Sequence, residues 1–105
     1  MADKDYLSDV KKYDATASAD VVGKIVKHLG IALRSNDASL VSCTDPEELD
    51  RVKKGWIAKK LGETDGAKAD SVLQKVCETM SADRTKARVT FYYLIAKHYG
   101  KLASL

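Results

Sequence analysis

The chain has 105 residues and a mass of 11.5 kDa, with 45% hydrophobic residues, 31% charged residues and a formal charge of +3. That length and balance fit one packed domain, spanning residues 1–105, and exclude a disordered chain or two independent cores. No apolar run of the roughly 18 residues needed for a membrane span is present, and the opening Met1-Ala2-Asp3-Lys4-Asp5-Tyr6 lacks a secretory apolar stretch, so a cytoplasmic protein with no membrane partner is expected.

In chain order, Tyr6, Leu7, Val10 and Tyr13 recur at helical spacing. Thr16 or Ser18 can cap the next helix, whose buried face would be Val21, Val22, Ile25, Val26 and Leu29 and which ends at Gly30. Ser35-Asn36-Asp37 reads as a turn, and residues 38–42 as a single helical turn. The strongest start is Thr44-Asp45-Pro46-Glu47-Glu48: Asp45 can cap, Pro46 takes the first helical position, and Glu48 stands where a capping box places its acid. Leu49, Val52, Trp56, Ile57 and Leu61 then form an apolar stripe, with Arg51, Lys53, Lys54 and Lys59 facing away, until Gly62.

Thr64 or Asp65 can start a further helix carrying Ala69, Val72, Leu73, Val76, Cys77 and Met80, stopping near Ser81. The last segment, residues 89–96, is apolar on nearly every side and rich in aromatic and β-branched residues, which alone would suit a buried strand. A cap at Asp83 or Thr85 and the closing Lys97-His98-Tyr99-Gly100 favour a helix instead, and an all-round apolar helix is one surrounded by others. The expectation is therefore an all-α bundle of four to five short helices with the last helix central.

Three helices finish alike, on Ile25 to Gly30, Ile57 to Gly62 and Ile95 to Gly100, each with Lys at the third position. Glycine past a helix end can take a left-handed conformation, and cations in the last turn meet the negative end of the helix dipole, so convergent capping explains the likeness better than a repeat of unequal spacing. His28 and His98 fall on these endings and read as cap-side cations or packed rings. Neither stands at zinc-ligand spacing from Cys43 or Cys77, so no metal or other cofactor is expected. In a reducing compartment both cysteines should stay thiols, Cys77 in the core. Cys43, just ahead of the Asp45-Pro46 helix start, is the one candidate nucleophile for an enzyme or redox protein, and no histidine lies near it in sequence.

Charge is uneven along the chain. Residues 84–105 contain five Lys and Arg and no acid, whereas residues 63–83 contain five acids and two lysines. Arg84, Thr85, Lys86 and Arg88 crowd the expected start of the last helix, where the dipole disfavours cations. With exposed helix-start N–H groups they would hold an anion: phosphate, a nucleic-acid backbone or an acidic partner surface. The alternative is that Glu78, Asp70 or Glu63 neutralises the cluster. Tyr92, Tyr93 and Tyr99, like Trp56, read as core rather than as stacking platforms.

No phosphate loop, nucleophile elbow, zinc-protease or calcium-loop pattern is present, so a non-enzymatic binding or interaction module is the leading expectation. A nucleic-acid-associated protein and a self-associating subunit are its rivals. The blocks from Leu40 to Leu49, Ile57 to Gly62, Val76 to Glu78 and Val89 to Lys101 together resemble a family of short bacterial proteins known only as a domain of unknown function. The resemblance covers most of the chain; it implies an all-helical fold and a bacterial cytoplasmic setting, with no activity to carry over.

Overall fold

The computed structural model describes residues 6–30, 40–81 and 86–102. In chain order these form α1 (Tyr6–Lys11), α2 (Ala19–Leu29), β1 (Leu40–Val41), α3 (Pro46–Val52), a π-helical continuation (Lys53–Ala58), α4 (Gly66–Thr79), β2 (Lys86–Ala87) and α5 (Arg88–His98). The fold is thus all-α, as the sequence patterns require.

Three of the helices start on a side chain that accepts backbone N–H groups left open by the first turn. Ser18 caps α2 by accepting from the Asp20 N–H at 3.1 Å, and Asp45 caps α3 by accepting from Glu47 at 3.0 Å. Asp65 caps α4 by accepting from Ala67 at 2.9 Å and Lys68 at 3.3 Å. The glycine endings also hold: Gly30, Gly62 and Gly100 have φ of 45°, 77° and 68°. After α5 the Lys101 N–H donates to the Ala96 carbonyl at 2.9 Å and Gly100 to Lys97 at 3.0 Å, the paired bonds of a Schellman ending.

Expectation and structure part at three places. Leu40 and Val41 are not helical; they pair antiparallel with Ala87 and Lys86, burying the β-branched Val41, while Ala38 and Ser39 lie outside the described residues. The last helix begins at Arg88, not near residue 84, because residues 86 and 87 are extended in that pairing; its N-cap, Ala87, has no side chain able to cap. Asp83 lies outside the described residues. The stripe after α3 survives a change of pitch: the Leu61 N–H reaches the Trp56 carbonyl at 3.0 Å, five residues back, so Val52, Trp56, Ile57 and Leu61 all stay buried.

Nine consecutive residues of α5, Arg88 to Ala96, are buried, and α5 packs against α1, α2, α4, the π-helical segment and β1. The last helix therefore occupies the central position expected of it. Trp56 locks it in place: its Nε1–H donates to the Tyr92 carbonyl at 3.1 Å, and its ring contacts those of both His28 and Tyr92, with centroids 4.9 and 4.8 Å away. His28, an exposed residue, lays its ring against Trp56, and the resulting partial desolvation, followed by the charge of Lys60, pulls its pKa below the usual histidine value.

Candidate functional site

Burying α5 on every side forces its polar residues to find partners inside the fold, since an unpaired buried polar group costs about 1–3 kcal/mol. Those partners are acids from the first half of the chain. Thr90 donates to Asp9, and the Tyr93 hydroxyl donates to Asp14 at 2.7 Å. Lys97 pairs with the same Asp14 carboxylate at 3.3 Å. Thr16 and then Tyr93, both donating, hold the Asp14 carboxyl far below the usual carboxylate range. Burial and the neighbouring Asp14 push the Tyr93 phenol up to about 12.

Arg88 follows the same rule. Its guanidinium, only 10% exposed, is ion-paired with Glu48 of α3 and lies 5.9 Å from the centre of the Tyr92 ring. Glu48, read from the sequence as the acid of a capping box, instead offsets the cation at the positive end of α5. The pairing acid thus comes from α3, whereas Glu78, Asp70 and Glu63 were the expected neutralisers. Of the four residues expected to hold an anion, Arg84 and Thr85 lie outside the described residues, Lys86 is half-buried in β2 opposite Val41, and Arg88 faces Glu48. The structure does not gather Lys86 and Arg88 into an open cationic corner.

The cysteines require a correction. Cys43 and Cys77 are joined in a disulfide with Cα atoms 6.0 Å apart, so neither is a thiol, Cys43 is not a free nucleophile, and Cys77 is half-buried rather than fully in the core. Thirty-four positions separate them, and the bridge ties the turn before α3 to α4; nothing in their local sequence signals it.

An open recess lies elsewhere, between α4 and the end of α5. Lys68, Ser71, Val72 and Lys75 fall at i, i+3, i+4 and i+7, one face of α4, and they look across a groove of about 420 Å³ at Glu63, His98 and Tyr99. Neither Lys68 nor Lys75 has an ion-pair partner among the described residues. The Tyr99 hydroxyl is buried without a hydrogen-bond partner among those residues, which leaves a strong donor unused. Burial, then Glu63 and Asp65, raise the Tyr99 pKa, so the phenol keeps its proton at neutral pH. His98 stands edge-on to the Tyr99 ring at 6.2 Å.

Sequence reasoning missed this groove, although a signal existed: Lys68 and Lys75 are the two cations in the acid-rich stretch 63–83, seven residues apart on a helix. A second recess, of about 290 Å³ beside Pro46 and Leu49, is spanned by the Lys53–Asp70 ion pair at 3.1 Å. Among the described residues no group of three His, Cys, Asp or Glu side chains could hold a metal, and no helix is long and apolar enough to cross a membrane.

No curated protein matches the chain. Residues 5–103 match the model of the family described as "Protein of unknown function (DUF2853)". With nearly its whole length inside that match and an all-helical fold, the chain belongs to this family.

Proposed function

We propose that this protein is a non-enzymatic binding module of the cytoplasm that holds a small anionic molecule, phosphorylated or carboxylated, in the groove between α4 and the end of α5. The observation that carries this reading is the buried Tyr99 hydroxyl, without a partner among the described residues, beside Lys68 and Lys75, which lack ion-pair partners among them. A bound oxyanion would accept from Ser71 and, once the Tyr99 ring turns its buried hydroxyl into the groove, from the phenol, while the two ammonium groups offset its charge. The volume falls in the range of small-molecule sites. Glu63, at the same groove, makes the lining less than fully cationic, so a small anion of two to three charges fits better than an extended polyanion.

With both cysteines bridged, the reading that made Cys43 a catalytic nucleophile loses its thiol. Calorimetric titration with pyrophosphate and with citrate tests the proposal. Binding of either is expected; Tyr99→Phe should weaken it about tenfold, the loss of one hydrogen bond, and Lys68→Gln with Lys75→Gln should abolish it. Absence of binding by both anions, or binding indifferent to these three residues, overturns it. Binding of a single-stranded oligonucleotide that falls steeply with salt and ignores Lys68 and Lys75 would favour the nucleic-acid reading instead.

A further inference from the structure

The Cys43–Cys77 bridge joins two parts of very different firmness. Cys77 stands on α4, whose Ala69, Val72, Leu73 and Val76 are buried in the core. Cys43 stands in the short turn between β1 and α3, held otherwise by the buried Val41 packed on α5, the two-residue pairing of β1 with β2, the Asp45 N–H donating to the Ser42 carbonyl at 3.3 Å and the Ser42–Thr44 hydroxyl contact at 3.1 Å. A two-residue pairing is far below what a sheet needs to stand alone. Both cysteines are half-buried at the edge of the core.

Through β1 the turn also sets the entrance of α5. β2 runs directly into that helix, whose N-cap Ala87 supplies no side-chain cap, so β1 shares with the Arg88–Glu48 ion pair the task of holding the start of the central helix, and the bridge stands two residues beyond β1. We infer that the Cys43–Cys77 disulfide is a reversible, thiol-exchangeable clamp that fixes the β1–β2 pairing at the entrance of α5, and that its reduction frees this corner while the helical core stays folded.

The exchange balances with a dithiol as reductant. A dithiol thiolate attacks one sulfur of the bridge, the other leaves as a thiolate and takes up a proton, and the second dithiol sulfur then displaces the protein from the mixed disulfide. Two electrons and two protons pass to Cys43 and Cys77, and the dithiol leaves as a cyclic disulfide. In a reducing compartment a bridge of this kind is a sensor rather than a permanent staple. The clamp shares α4 with the groove but none of the groove's lining residues.

The full chain, purified without reductant and equilibrated with oxidised glutathione, should carry no alkylatable thiol. Graded dithiothreitol under native conditions should release two, and hydrogen exchange should then lose protection at residues 40–45 and 86–87 while residues 72–76 and 89–96 remain protected. Reoxidation should restore the first pattern, and the Cys43→Ser, Cys77→Ser double variant should resemble the reduced chain. Thiols that persist after oxidation, a bridge that yields only on global unfolding, complete unfolding on reduction, or unchanged protection at residues 40–45 and 86–87 would each overturn the inference.

Discussion

Arg88, at the first position of the central helix, is ion-paired with Glu48 of α3, forty positions earlier in the chain. A cation at a helix N-terminus works against the dipole by about 0.3–1 kcal/mol, and Glu48 offsets that cost while also neutralising a charge held in water-poor surroundings. The pair is nearly buried on both sides, at 10% and 14% exposure, so it does not behave as a surface salt bridge.

Replacing Glu48 with Gln should therefore lower stability by about 1–3 kcal/mol, because it removes the carboxylate paired with a nearly buried guanidinium. Adding Arg88→Met should recover most of the loss, since removing both charges is far cheaper than removing one. Chemical denaturation of the single and double variants measures this; equal destabilisation by both would refute it.

Acid should act through Asp14. Its folded pKa lies far below the unfolded value of about 3.9, so its contribution is complete above that value and is lost as the pH falls below it. Asp14→Asn should remove much of the acid dependence of the melting temperature below about pH 4 and lower stability at neutral pH.

Alkali should act through Tyr93. Its pKa, about 10 unfolded, is raised to about 12 in the fold, so the folded state holds this proton longer and stability falls as the pH rises between those values. Tyr93→Phe should flatten that alkaline limb, and ultraviolet titration of tyrosinate absorbance tracks the ionisation directly.

Glycines should divide by conformation. Gly100, at φ 68°, penalises a side chain, and Gly100→Ala should cost about 1 kcal/mol. Gly23 lies inside α2 with nothing near a new Cβ, and Gly23→Ala should stabilise by about 0.5–1 kcal/mol. Thermal denaturation of the two variants should show shifts of opposite sign.

Local chemistry is readable in the sequence. Ser18, Asp45, Asp65 and the glycines at 30, 62 and 100 act within a few residues of themselves, so their roles come from spacing. The central place of α5 is readable too, because residues that are apolar all round have nowhere else to go. Pairings across the chain are not: Arg88 with Glu48, Tyr93 with Asp14, Cys43 with Cys77, and the face of α4 with Tyr99. Each depends on how helices cross, which a periodic pattern does not encode. The basic entrance of the last helix does break the dipole rule, but for Arg88 the compensation comes from α3, and the open donors of the groove lie at the helix's other end.

The proposed ligand groove is tested most directly by mapping amide shifts in a two-dimensional NMR titration of the labelled full chain with pyrophosphate. Saturable shifts centred on Lys68, Ser71, Lys75, His98 and Tyr99 are expected, and they should be absent when Tyr99→Phe is combined with Lys68→Gln and Lys75→Gln. Shifts centred instead on residues 84–88, or none at any concentration, would rule the groove out.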